Sequence, residues 1–247
     1  MKPLAGRTVL VTRPREEAAE LASALRRRGA MVIVAPAIEI RPARSAGLTD
    51  ALAELARGEF AWVTLTSPRT VDVLAERIRA RDVSARVAAI GEGTRDAFRR
   101  WARREPELVP RSFTTAALAR VFPRGDGRVL CLRADVAPEG LEDALAAKGW
   151  VPSRVTAYRT VMARSLPAEA RSALRNGRVD AITFTSASTV RGFLGVLGGV
   201  RGNPKVVCIG PVTARQARAH GLTVHAVANP HSVEGLIEAV ERTLAPR

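Results

Sequence analysis

The segments "VAAIGEGTRDAFRRW" (87–101) and "VVCIGPVTARQARAHG" (206–221) share one pattern. Each has four apolar residues, a Gly, a Thr three positions after the Gly, and then a run with helical spacing. Short apolar runs without internal polar alternation indicate strands that are buried on both faces. Because such runs alternate with helix-like segments along the whole chain, we predict an α/β fold with a parallel sheet.

The two segments belong to a longer internal repeat. Equivalent residues lie 119 or 120 positions apart, as in Ser67 and Ser186, Gly91 and Gly210, Thr94 and Thr213, and Arg13 and Arg133. Around them, "TLTSPRTV" (64–71) matches "TFTSASTV" (183–190), and "RSFTTAAL" (111–118) corresponds to "PHSVEGL" (230–236). One offset shared by several separate segments indicates two copies of one α/β unit.

The composition is typical of a globular protein, with 247 residues of which 47% are hydrophobic. Cys131 and Cys208 each lie in an apolar run, and a disulfide framework or metal site would need more thiols. No apolar stretch approaches the ~20 residues that span a bilayer. The opening "MKPLAGRTVLVTRP" lacks the apolar block of a signal peptide. We therefore expect a cytoplasmic protein without a membrane segment.

The net charge of +15 comes almost entirely from arginine, since only Lys2, Lys148 and Lys205 are lysines. Arginine and alanine enrichment is also expected from a GC-rich genome, which weakens a functional interpretation. The remaining positive field would attract anionic partners, either nucleic acid or a polycarboxylate metabolite.

The repeated turns predict an anion site. In doubly wound α/β folds ligands bind beyond the carboxyl ends of the strands, where helix starts present free N–H groups. Alternatively, Ser67, Thr94, Ser186 and Thr213 only cap their helices. Their occurrence at matched positions in both copies favours a shared site.

Motifs of other chemistries are absent from the sequence. It contains no Gly-x-Ser-x-Gly elbow, Walker loop or His-Glu-x-x-His. "GEGTRD" (91–96) resembles a dinucleotide loop only weakly, and the three histidines lack ligand spacing. No helix-turn-helix or zinc finger is readable, and aromatic residues make up only 4%. We predict neither a cofactor nor a metal.

Tyr158 is the only tyrosine, and its counterpart in the first copy is Ile38. It is either a half-buried strand residue or a neutral proton donor, the ordinary state of a phenol at pH 7.

Together, "VLVTRP", "TSPRTV", "IGEGT", "AYRT", "FTSASTV", "IGPVTA" and "PHSVEGL" resemble the uroporphyrinogen-III synthase family. The resemblance covers essentially the whole chain. It implies two similar flavodoxin-like, doubly wound parallel-sheet domains joined by a two-stranded connector. Applied to this chain, the resemblance implies that residues 1–37 and 165–247 together form one domain and that residues 48–153 form the other. Residues 38–47 and 154–164 would then form the connector. The repeat alone would equally allow two consecutive domains.

The resemblance also implies a reaction, the cyclisation of hydroxymethylbilane with inversion of its last ring and loss of water, without a cofactor. Tyr158 and Thr213 would be the catalytic residues, the first assisting the departing hydroxyl. Val212 stands where some relatives have a further hydroxyl. The residues implied to bind the substrate's carboxylates are Arg13, Thr66, Ser67, Gly91, Thr94, Arg133, Thr185, Ser186, Ser188, Gly210 and Ser232.

Two other classes of protein remain possible on the sequence. A non-catalytic two-lobed binding protein would use the same architecture, and a nucleic-acid-binding regulator would exploit the charge. The even spread of arginine weakens the second. The resemblance predicts a monomer, no nucleic-acid or membrane partner, and at most transient contact with the enzyme that forms the bilane.

Overall fold

The computed structural model describes residues 2–197 and 201–245. The chain divides into two compact units. The first unit combines Met1–Ile40 with Val161–Arg247, and the second is Arg41–Thr160. Residues 1, 198–200 and 246–247 of the predicted first domain lie outside the described residues.

Strands and helices alternate through both units. The strands are β1 Thr8–Val11, β2 Met31–Val34, β3 Ile38–Pro42, β4 Trp62–Leu65, β5 Arg86–Ala89, β6 Arg128–Ala134, β7 Val151–Met162, β8 Ala181–Phe184, β9 Lys205–Cys208 and β10 Val224–Val227. The α-helices are α1 Arg15–Arg27, α2 Ala46–Ala56, α3 Pro68–Ala75, α4 Glu92–Ala102, α5 Thr115–Val121, α6 Leu141–Ala146, α7 Ala168–Arg175, α8 Ala187–Gly195, α9 Pro211–Ala219 and α10 Val233–Leu244.

The sheet of the first unit has the order β2-β1-β8-β9-β10, and every pairing is parallel. Numbered within the unit, this is the 2-1-3-4-5 order of flavodoxin-like folds. The order reverses between β1 and β8. At such a reversal the flanking connections leave toward opposite faces, so a crevice opens beyond the carboxyl ends of the two strands.

The sheet of the second unit has the order β3-β7-β6-β4-β5. Its pairings from β7 to β5 are parallel and repeat the order β2-β1-β8-β9. Leu108, bridged in parallel to Ala88, lies where β10 lies in the first unit. Beside β7, the Ala163 N–H donates to the Ala37 carbonyl and the Ala43 N–H to the Ala157 carbonyl. Residue numbers therefore fall along β7 as they rise along β3, and these two strands are antiparallel.

The sequence repeat and the structural units do not coincide. The first repeat supplies β1 and β2 to the first unit but β4 and β5 to the second. The second repeat supplies β6 and β7 to the second unit and β8 to β10 to the first. The predicted fold class, α/β with parallel sheets in two similar halves, is confirmed. The boundaries between the units fall inside β3 and β7.

Both faces of each sheet are covered by helices, as the unbroken apolar runs predict. All four residues of β1, β4 and β8 are buried. Two hydrophobic clusters flank the sheet in each unit. Helix α1 has Glu16 and Glu17 in its first turn and Arg26 and Arg27 in its last, which suits the helix dipole.

Substituting Gly192 by Ala is expected to destabilise the first unit. A Cβ on Gly192 in α8 would collide with the carbonyl oxygen of Ala37, and a backbone atom cannot move aside as a side chain can. Overpacking of this kind costs about 1–3 kcal/mol. Gly195→Ala, in the same helix with open space around it, is the control and should be neutral or stabilising by up to about 1 kcal/mol. Urea unfolding of both variants checks this, and equal midpoints would contradict it.

The two thiols are expected to be unreactive in the folded protein. Cys131 and Cys208 are fully buried in β6 and β9, and burial raises the pKa of each thiol to about 11. At pH 8 only about one thousandth of each thiol is then thiolate, the reactive form. Iodoacetamide labelling followed by mass spectrometry should show at least about 100-fold slower modification in native buffer than in guanidinium. Labelling at the denatured rate would mean that the strands open.

Candidate functional site

The residues singled out in the sequence lie at or beyond the carboxyl ends of the parallel strands, in two sets. The set in the first unit is Arg13, Thr185, Ser186, Ser188, Gly210, Thr213 and Ser232. The set in the second unit is Thr66, Ser67, Gly91, Thr94, Arg133 and Tyr158. Parallel strands bring all their carboxyl ends to one edge, so each set shares the edge where α/β folds bind ligands.

Tyr158 lies in β7 opposite Ala134, the last residue of β6, and is half-buried with its hydroxyl 3.1 Å from the Ser67 hydroxyl. The pairing of β6 with β7 shifts at this point: Arg133 lies opposite Thr156, but Ala134 lies opposite Tyr158. The extra residue on β7 is a bulge, a device that re-aims a side chain. The bulge and the hydroxyl contact together fix the phenol at the ligand-binding edge of the second sheet.

Ser67 and Ser186 are the N-caps of the helices that follow β4 and β8. Ser67 accepts a hydrogen bond from the Thr70 N–H at the start of α3, and Ser186 accepts one from the Thr189 N–H at the start of α8. The hydroxyl of each threonine donates back to the carbonyl of its own serine, at 2.6 Å and 2.7 Å respectively. Ser67 and Ser186 therefore do cap their helices, and the Ser67 hydroxyl also contacts Tyr158.

The next helix in each unit begins differently, with a glycine as its N-cap. Gly91 precedes α4 and Gly210 precedes α9, and neither start has a side-chain cap. Thr94 and Thr213 occupy the third helical position, which Thr70 and Thr189 occupy in α3 and α8. The two residues are 3% and 4% exposed, and within residues 2–197 and 201–245 their hydroxyls make no hydrogen bond.

This difference decides which helix starts can bind a ligand. At α3 and α8 the serine hydroxyl already accepts one first-turn N–H, and the threonine hydroxyl donates to the serine carbonyl. At α4 and α9 no side chain caps the first turn, so its N–H groups and one threonine hydroxyl remain available as donors at the positive end of the helix dipole. There is one N–H fewer at α9, because that helix begins with Pro211. These two glycine-capped starts, which we call the open helix starts, suit a carboxylate.

Arg13 and Arg133 are equivalent residues and resemble each other in the structure. Arg13 pairs with Glu17 at 3.3 Å with 18% of its side chain exposed, and Arg133 pairs with Glu142 at 3.2 Å with none exposed. Arg133 also donates to the Pro138 carbonyl at 2.7 Å. In both, within the described parts of the chain, the Nε is buried without a partner.

These ion pairs bear on the prediction that both arginines bind substrate carboxylates. Burial lowers the pKa of the Arg133 guanidinium, and the nearby Glu142 opposes that effect. A ligand carboxylate would have to reach a side chain that is closed off by the loop carrying Pro138. Arg133 therefore orders the connection from β6 to α6 in this structure, while Arg13 keeps a partly exposed guanidinium.

The other predicted residues have local contacts. The Thr66 hydroxyl lies 3.4 Å from the Leu132 carbonyl, which ties β4 to β6. Ser232 caps α10 by accepting from the Gly235 N–H, and the Ser188 hydroxyl accepts from Arg191. Thr185 lies half-buried in the turn between β8 and α8.

Two rings beside the open helix starts were not anticipated from the sequence. A Cβ built on Gly91 would lie 2.8 Å from Cγ of Phe113, and one built on Gly210 would lie 3.8 Å from Cγ of His231. Each ring belongs to the residue just before the N-cap of the following helix. The match between "RSFTTAAL" and "PHSVEGL" aligns Phe113 with His231, but the pattern of that match lies in the hydroxyl residues that follow the two rings.

Metal-binding groups are not assembled in the described parts of the chain: no three His, Cys, Asp or Glu side chains come together as ligands there. Among the same residues, no helix is long and apolar enough to cross a membrane. The chemistry available at the two edges is therefore that of hydroxyls, backbone N–H groups, arginines, one phenol and one imidazole.

Comparison with known proteins gives the family. Residues 19–238 match the model of the family described as uroporphyrinogen-III synthase HemD. The uroporphyrinogen-III synthase of Synechococcus elongatus is 30% identical over 98% of this chain and 97% of its own length. Among solved structures, a mutant uroporphyrinogen III synthase from Thermus thermophilus has a TM-score of 0.66 at 21% identity, covering 96% of this chain and 98% of its own. The synthetase from Helicobacter pylori has a TM-score of 0.64 at 18% identity, covering 95% and 98%. The chain therefore belongs to the uroporphyrinogen-III synthase family.

Proposed function

We propose that this protein is a uroporphyrinogen-III synthase that closes hydroxymethylbilane to uroporphyrinogen III, with inversion of ring D and loss of water. In class it is a cyclising hydro-lyase. The observation that carries the proposal is the open, glycine-capped helix start in each unit, beside a buried threonine whose hydroxyl makes no hydrogen bond in the described residues. Such starts fit the acetate and propionate groups of a substrate with eight carboxylates.

The chemistry begins when the terminal hydroxyl of the bilane leaves as water. Tyr158 is the proton donor in our proposal, and Ser67 positions it. The Ser67 oxygen accepts from the Thr70 N–H at the start of α3, so its own proton can be donated to the Tyr158 oxygen. The phenol can then donate toward the leaving hydroxyl. The Thr70 N–H, the Ser67 hydroxyl and the Tyr158 hydroxyl thus form a hydrogen-bonded chain that begins at a helix N-terminus. Each donor polarises the next one, which assists proton transfer from the phenol to the leaving hydroxyl.

The inversion itself requires positioning rather than further acid–base groups. Without an enzyme the bilane closes to the uninverted isomer, so catalysis has to favour attack through the substituted carbon of the terminal ring. Binding of the carboxylates at fixed helix starts holds the ring substituents and lowers the entropy cost of that geometry.

The proposal extends to the organisation of the protein. We propose the domains as residues 1–37 with 165–247 and 48–153, with a connector of 38–47 and 154–164; the two compact units and the β3–β7 pairing support it. We further propose a monomer in the cytoplasm, in contact with the bilane-forming enzyme at most transiently.

The function is tested by supplying purified protein with freshly generated hydroxymethylbilane. The porphyrinogens are then oxidised, and the isomers are separated by chromatography. Predominantly isomer III is expected. Isomer I at the spontaneous rate would reject the proposal and leave a two-lobed binding protein.

Tyr158→Phe is expected to lower kcat by roughly 10²–10⁴-fold, the usual contribution of a general acid.

Ser67→Ala should lower kcat less, because the phenol remains. Thr213→Ala should be milder than Tyr158→Phe, since the backbone N–H groups of α9 survive. Initial rates of isomer III formation measure the three effects, with thermal unfolding as the control for folding. Full activity of Tyr158→Phe would exclude the phenol as the acid.

A further inference from the structure

His231 lies at the carboxyl end of the first sheet, in the loop between β10 and α10. His231 is exposed, and its ring lies beside Gly210, where a Cβ built on the glycine would be 3.8 Å from Cγ of the ring. Gly210 is the N-cap of α9, whose first turn holds the buried residue Thr213 with its available hydroxyl. The imidazole is therefore a neighbour of the open helix start.

The loop that carries His231 is held firmly. The Ala228 N–H donates to the Cys208 carbonyl at 2.9 Å, and the Gly235 N–H donates to the Ser232 hydroxyl at 3.2 Å. A Cβ on Gly235 would collide with the Pro230 carbonyl oxygen, so α10 begins in close contact with this loop. Such a loop gives the ring a fixed position.

One contact determines the chemistry of the ring. Nδ1 of His231 lies 2.7 Å from the Ala228 carbonyl oxygen. A carbonyl can only accept, so Nδ1 carries the proton. In the neutral imidazole Nε2 is then a lone-pair acceptor, which calls for an N–H or O–H donor on a ligand.

The equivalent position of the second unit offers no such acceptor. Phe113 occupies it, 48% exposed, with its ring against Gly91. The two open helix starts are therefore alike in their glycine caps and threonine hydroxyls but differ in the neighbouring ring. Only the start of α9 combines donors for a carboxylate with an acceptor for an N–H group.

We propose that His231 binds the substrate, its Nε2 accepting a hydrogen bond from a pyrrole N–H while a carboxylate on the same pyrrole occupies the start of α9. The ligand class is a pyrrole that bears carboxylate side chains, and the assignment to a tetrapyrrole rests on the function proposed above. A linear tetrapyrrole has several such rings, so a pyrrole-specific contact in one unit alone helps to distinguish them.

The test distinguishes the role of Nε2 as an acceptor from the role of Nδ1 as the donor to the Ala228 carbonyl. His231→Asn keeps a donor for the Ala228 carbonyl but lacks the outer acceptor, and His231→Gln offers an acceptor near the position of Nε2. His231→Lys replaces the acceptor by a charge. His220→Asn, at the exposed carboxyl end of α9, is the matched control. Binding of uroporphyrinogen III is measured by anaerobic calorimetry at pH 8, together with KM and kcat for the bilane.

Loss of one hydrogen bond is expected to raise the Kd of His231→Asn and His231→Lys roughly 3- to 30-fold, with KM rising in parallel. His231→Gln should stay closer to the wild type, and His220→Asn should match it. Thermal unfolding shows whether the Asn variant retains its loop.

Three results would overturn the proposal: wild-type affinity in a folded His231→Asn, tight binding by His231→Lys with weak binding by His231→Gln, or no binding of uroporphyrinogen III by the wild type. A protein that binds uroporphyrinogen III through His231 but yields only isomer I would retain this site and refute the proposed reaction instead.

Discussion

Each sheet depends on a central pairing between strands from different sequence repeats. In the first unit β1 pairs with β8, and the Thr12 hydroxyl donates to the Thr183 carbonyl at 2.7 Å while the Thr183 hydroxyl donates to the Leu10 carbonyl at 3.2 Å. Asp180, just before β8, accepts from the Thr8 N–H and pairs with Arg7. In the second unit the corresponding pairing is β4 with β6. Without these contacts neither sheet has the strand reversal beyond which its ligand-binding edge is built.

The two edges are similar in backbone and different in side chains. Both have a serine-capped helix start beside a glycine-capped one, because the repeat fixes the turn geometry. The differences lie in single positions: Tyr158 against Ile38, and His231 against Phe113. Because of these differences the two edges can discriminate between ligands that two identical edges would bind equally well.

Much of this was predictable from the sequence, because it depends on local pattern. The apolar runs predicted the buried parallel strands, and the hydroxyl residues at matched positions of the two repeats predicted where helices begin. The sequence did not separate the capping serines from the available threonines, since both types lie in the same short motif. The Ser67–Tyr158 contact spans 91 positions. The burial of Arg133 depends on a carboxylate at 142 and a carbonyl at 138, which no residue pattern reveals. The rings of Phe113 and His231 lie beside Gly91 and Gly210, some twenty residues earlier in the chain, because separate loops pack together there.

The exchange of strands between repeats also determines the order in which the protein can be completed during synthesis. Residues 41–160 are contiguous, so the second unit has its full complement of parallel strands once β7 has left the ribosome. The first unit starts earlier and finishes later, because β1 has to wait for β8, some 170 residues downstream. Domains usually fold in the order of their synthesis. Here β1 and β2 can pair early, but β1 and the apolar face of α1, which includes Leu21 and Leu25, lack their later partners until the last third of the chain arrives. The nascent chain therefore keeps the second edge of β1 unpaired while the whole second unit is synthesised.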